Sequence, residues 1–140
     1  MLPRIALVLV SSLGWAISLY FTLVRYQVIA PEQRFIPRFC RLESGNCRTI
    51  LRSPVASILG IPNSLLGVAY YLVILFLSIN EWIEVPPAFV KWVFITSLVA
   101  SAVGISLAFS LLRDLKTPCV LCFVSHGINI FISILLYVNL

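Results

Sequence analysis

Hydrophobic residues run along this chain in long unbroken stretches, not in the one-sided stripe of a soluble helix or the alternation of a half-buried strand. Four stretches hold no charged residue: Ile5 to Val24 (20 residues), Ser53 to Asn80 (28), Trp92 to Leu112 (21) and Thr117 to Leu140 (24, with the single His126). A bilayer core of about 30 Å needs roughly 20 apolar residues in a helix, so each stretch is long enough to span. The second exceeds one span and carries Pro54, Gly60 and Pro62 at its front, residue types that start or break helices. The pattern predicts spanning helices over residues 5–24, 61–79, 92–112 and 118–138, with a loop over 25–60. Within that loop Val55, Ile58 and Leu59 recur at helical spacing, which predicts a short turn of helix over 54–60 at the membrane surface.

Composition agrees. Of 140 residues, 61% are hydrophobic and 11% charged, too few charges to cover the surface of a soluble domain. A soluble enzyme, a disordered tail and a collagen-like rod are excluded. A signal-peptide reading of the first stretch fits poorly, because 20 apolar residues exceed the usual core of about 7–15. The expected fold is an all-α membrane protein: one domain over residues 1–140, a four-transmembrane-helix bundle with a long first loop carrying a cysteine pair.

Counting spans also fixes where the cysteines lie relative to one another. Successive connections alternate sides, so the first and third share one face of the membrane. Cys40 and Cys47 fall in the first connection, and Cys119 and Cys122 directly follow the third. Two pairs on one face can exchange disulfides. Thr117 and Pro118 read as the N-cap and first residue of a helix, which puts Cys119 in a first turn, where unpaired N–H groups favour a thiolate. Arg38, Arg41 and Arg48 flank the loop pair, and nearby guanidinium charge speeds thiol exchange. Simple core packing of small apolar cysteines, two structural disulfides and a four-thiolate zinc site are the competing accounts.

Polar groups at membrane depth are functional candidates by default. His126 lies four residues after Cys122, which lies three after Cys119, so the three share a helix face. Asn63 opens the second span on the same side of the membrane. Together they are placed to hydrogen-bond an apolar ligand with carbonyl oxygens, such as a quinone, which accepts the two electrons that a dithiol yields. The plainer account is that they hold helices together.

The segments FCRLESGNC with Ser53 six residues on, LGIPNSLLGVAYY and PCVLCFVSHGIN resemble the vitamin K epoxide reductase family, over about residue 5 to the end of the chain. The resemblance implies that Cys122 reacts with the quinone and that Cys119 is its disulfide partner, reached by exchange from Cys47. It implies that Cys40 pairs with Cys47 and faces an external dithiol protein, that Asn63 bonds a quinone oxygen, and that Ser53 positions the loop around the pocket. His126 departs from the vertebrate pattern, where a tyrosine occupies the matching position. A histidine still donates a hydrogen bond, which is compatible with quinone reduction, whereas the epoxide reaction and coumarin sensitivity are the properties that this departure bears on. The implied acceptor is menaquinone, ubiquinone or vitamin K, with no metal. The implied partners are the membrane quinone pool and a separate thioredoxin-like or other dithiol protein, with no nucleic acid.

The expected function is a quinone-linked disulfide-forming oxidoreductase. The alternatives are a vitamin K epoxide or quinone reductase of a cofactor cycle, and a non-catalytic membrane scaffold with structural disulfides. Arg25, Arg34, Arg38, Arg41, Arg48, Arg52, Arg113 and Lys116 lie on the cysteine face, against Arg4 and Lys91 on the other. Positive charge in short loops is retained in the cytoplasm, so this bias favours an active site facing the cytoplasm. The usual family orientation, facing the periplasm, ER lumen or cell exterior, is the alternative.

Overall fold

A computed structural model of the protein describes residues 2–29, 54–80, 85–113 and 120–139. Each uncharged stretch forms a helix: α1 (Leu2–Arg25), α2 (Asn63–Ile79), α3 (Pro87–Arg113) and α4 (Val120–Asn139). Three of these, α1, α3 and α4, are long and apolar enough to cross a membrane. At about 1.5 Å per residue, the 17 residues of α2 reach about 26 Å. Its two ends are tied to the two ends of α1. At one end the Arg4 guanidinium donates to the Ser78 carbonyl (2.6 Å) and to the Ile79 carbonyl. Arg25 at the other end donates to Ser57 Oγ just before α2 (3.2 Å). A cation on the last carbonyls of α2 also complements the negative end of the helix dipole.

The helices begin and end where their chemistry allows. The uncharged-run rule starts the third span at Trp92, yet α3 opens five residues earlier, at Pro87. Proline suits a first helical position, and the intervening Lys91 is exposed, where a lysine stem lies along apolar surface while its ammonium reaches water.

Residues 54–60 correct the expectation of a surface helix. Only Pro54–Ala56 form a 3-10 turn. The chain then makes a two-stranded antiparallel hairpin, β1 (Ser57–Ile58) and β2 (Ile61–Pro62), with Ser57 opposite Pro62 and Ile58 opposite Ile61. The two residues between the strands both have positive φ, Leu59 at 51° and Gly60 at 82°. That is the backbone of a tight primed hairpin turn. Glycine accepts it freely; leucine does so at a steric cost, and the Leu59 side chain is 98% exposed. The turn reverses the chain sharply enough to set α2 beside α1.

Packing is strongest between α1 and α2 and between α3 and α4, and α1 and α4 join the two pairs, while α2 and α3 make few backbone contacts. The core along these seams holds Leu7, Phe21, Tyr71, Ile74, Ile132 and Leu136. Serines are buried among them, including Ser11, Ser18, Ser78 and Ser97. Small residues let helix backbones approach; of the buried hydroxyls, Ser78 Oγ bonds back one turn to the Ile74 carbonyl (2.7 Å) and Thr22 Oγ1 to the Ser18 carbonyl (2.8 Å), while Ser11 Oγ has no hydrogen-bond partner. Two glycines mark close approach between α1 and α2. A Cβ on Gly14 would stand 2.5 Å from the Tyr71 ring, and one on Gly67 would stand 2.6 Å from Ser18 Oγ. Outward faces carry Leu9, Ile95, Phe109 and Ile134, all exposed, as expected of a surface solvated by lipid chains.

Candidate active site

Because α2 and α3 diverge, the bundle encloses a cavity of about 640 Å³, within the size of a drug-sized ligand site. Its wall is mostly apolar. Phe21 of α1, Leu66 and Val73 of α2, and Trp92 and Val99 of α3 contribute, several of them exposed, so the cavity opens sideways between α2 and α3. Polar groups converge toward one end. Cys122, Ser125, His126 and Asn129 project from α4, and their spacing of three and four residues puts all four on one helix face.

Asn63, the first residue of α2, lines the same cavity, as do Arg25 at the end of α1, Ala56 of the 3-10 turn and Ile58 of the hairpin. The hairpin thus carries the start of α2, with its outward-pointing N–H groups, to the end of the cavity that holds Cys122. A guanidinium and a helix N-terminus at one mouth favour negative charge, whether on a thiolate or on a reduced carbonyl oxygen.

Of the residues singled out in the sequence, Asn63, Cys122 and His126 come together on this one cavity. Cys122 is half-buried. The other predicted site residues, Cys40, Cys47, Ser53 and Cys119, lie outside the described residues, as do Thr117 and Pro118.

Further polar residues were not anticipated. The Tyr71 hydroxyl, on a side chain only 1% exposed, donates to Asn129 Oδ1 (2.6 Å) and lies 3.5 Å from the Ser125 carbonyl. It fastens α2 to α4 beneath the polar end. Tyr70 OH and Ser97 Oγ share a 2.5 Å hydrogen bond that bridges α2 and α3. Behind it, Ser101 Oγ and Ser133 Oγ stand 3.0 Å apart and tie α3 to α4. Asn129 was within reach of sequence reasoning, since it extends the polar stripe of Cys122 and His126 by one further step of three. The tyrosine and serine pairings were not, because they depend on how neighbouring helices are rotated.

An apolar exterior and three membrane-length helices define an integral membrane protein of the helical-bundle class, whose cavity bears a thiol and opens between α2 and α3. A profile described as the vitamin K epoxide reductase family matches residues 5–137. The match takes in nearly the whole chain, which belongs to that family. Membership makes it a membrane oxidoreductase acting between thiols and quinones. A search of curated proteins finds no match.

Proposed function

We propose that the protein oxidises a dithiol partner protein and passes the electrons to a membrane quinone, so that its product is protein disulfide. The observation that carries this reading is the convergence of Cys122, His126 and Asn63 on one lipid-facing cavity. A quinone fits it: an apolar body matches the wall, two ring oxygens match the imidazole and amide, and the sideways opening faces the bilayer from which such a molecule comes.

The relay uses all four cysteines. The partner dithiol attacks the Cys40–Cys47 disulfide and leaves as a disulfide, with Cys40 and Cys47 reduced. Cys47 thiolate attacks Cys119 in the Cys119–Cys122 disulfide and releases Cys122 thiolate. Cys40 then resolves the mixed disulfide, freeing Cys119. Cys119 and Cys122 close their disulfide again, giving two electrons and two protons to the quinone, which becomes quinol. Asn63 and His126 hold the acceptor, and Ser53 steadies the loop over the cavity. The eight-to-two cation bias supports a relay facing the cytoplasm.

The test is anaerobic mixing of purified, fully reduced protein with a plain naphthoquinone, followed by quinone absorbance. Loss of one quinone per pair of thiols oxidised is expected, abolished in Cys122→Ala. Cys40→Ala should keep the single turnover of the inner pair but lose multiple turnover with a protein dithiol. Quinone reduction at the wild-type rate by Cys122→Ala would refute the relay. Faster consumption of a vitamin K epoxide than of the naphthoquinone would move the assignment to the cofactor-cycle alternative. Labelling of the cysteines by a membrane-impermeant maleimide in intact cells would reverse the orientation.

A further inference from the structure

His126 and Gly104 meet where α4 crosses α3 at the cavity wall. A Cβ placed on Gly104 would stand 2.6 Å from His126 Nδ1, 3.1 Å from its Cγ and 3.4 Å from its Cβ. The intruding atom would meet the root and near edge of a planar ring, not the far end of a flexible chain, so the ring itself would have to turn. The helices have little freedom to part instead, because the Ser101–Ser133 contact of 3.0 Å lies within one turn of Gly104.

The same contact decides which nitrogen can serve a ligand. Nδ1 is buried with no hydrogen-bond partner, on the side of the ring turned toward Gly104. A neutral imidazole has one N–H and one lone pair. An N–H turned into that closed space would be an unmade donor, whereas a buried lone pair is the more tolerable orphan. The proton therefore belongs on Nε2, the other nitrogen of a ring that lines the cavity.

We propose that Gly104 is a positioning residue for the acceptor site: its missing side chain seats the His126 ring so that Nε2–H is presented as a hydrogen-bond donor to a carbonyl oxygen of the quinone. This rests on the quinone reading above. It adds that specificity on the α4 wall is set in part by α3, and that the site selects for a ligand that accepts, not donates, at this point.

The chain has one histidine, so protein labelled with 15N-histidine gives a single imidazole signature. The expected wild-type spectrum is the neutral Nε2–H tautomer, with no quinone present. Gly104→Ala should disturb that signature and raise the KM for the naphthoquinone about tenfold, as for a catalytic group displaced by a fraction of an ångström to an ångström, while the KM for the dithiol partner stays unchanged. In a His126→Ala background the same substitution should leave the quinone KM within about twofold, since no ring remains to be displaced. A wild-type Nδ1–H tautomer would overturn the proposal, whether or not Gly104→Ala folds. So would an equal rise in KM with and without His126, which would make Gly104 a general packing residue. Failure of the wild type to reduce any quinone would instead overturn the functional reading, leaving the tautomer measurement to judge the placement of the ring.

Discussion

Replacing Tyr71 by Phe tests whether the cavity floor is held by hydrogen bonding or by packing alone. The ring stays, so the apolar contacts of this buried side chain with Gly14 and the core are kept, and only the hydroxyl is lost. That hydroxyl makes the 2.6 Å bond to Asn129 Oδ1, and its removal leaves the amide oxygen at the α2–α4 seam without this donor. A fully buried acceptor left unmade costs about 1–3 kcal/mol, but Asn129 is only half-buried, and interhelical hydrogen bonds within membranes average about 0.6 and reach about 1.7 kcal/mol in double-mutant cycles. We expect Tyr71→Phe to cost about 1.5 kcal/mol, roughly a tenfold loss in the folding equilibrium. Asn129→Leu should cost a similar amount, and the double variant clearly less than the sum, with a coupling of about 1 kcal/mol. Reversible unfolding in mixed micelles, followed by tryptophan fluorescence, measures all four proteins. Strict additivity, with coupling below about 0.3 kcal/mol, would refute the argument and return the α2–α4 seam to packing alone.

Gly14→Ala should be harsher, because its Cβ would stand 2.5 Å from the ring atoms of the buried Tyr71; overpacking of this kind costs about 1–3 kcal/mol, read in the same unfolding assay. Ser97→Ala removes the 2.5 Å contact with Tyr70 and should cost about 1 kcal/mol, with faster quinone dissociation in stopped-flow because α2 and α3 lose this bridge. Arg4→Met should lose about 0.5–1 kcal/mol through the uncapped end of α2, without changing the KM for quinone, since Arg4 lies at the end of the bundle away from Cys122; a changed KM would refute that separation.

The four helices were legible because a membrane span is written as an absence of charge, a signal that needs no partner to be read. The same rule placed the start of α3 too late, since it stops at Lys91, whose side chain is exposed while its backbone continues the helix back to Pro87. The hairpin at 57–62 escaped for a different reason. Its central pair is Leu59–Gly60, not the Asn-Gly that advertises such a turn, and the recurrence of Val55, Ile58 and Leu59 imitates a helix. Cys122, His126 and Asn63 could be brought together from periodicity and parity alone, because both rules concern one helix or one face of the membrane. The roles of Tyr71, Ser97 and Gly104 require knowing which sides of different helices are opposed, and nothing along one strand of sequence encodes that openly.

The strongest helix contacts join neighbours in the chain, α1 with α2 and α3 with α4. The molecule can therefore be built as two helical hairpins that form in order of synthesis and then dock through α1 and α4. The cavity occupies the seam that this assembly leaves unclosed. The exposed residues on the α2–α3 side of that seam, Leu66, Val73, Trp92 and Val99, are not part of the buried core, so they are free to vary at small cost in foldability. The choice of acceptor is thus separable from the architecture that holds it, and a lineage could change its electron acceptor by altering the seam while each hairpin continued to fold as before.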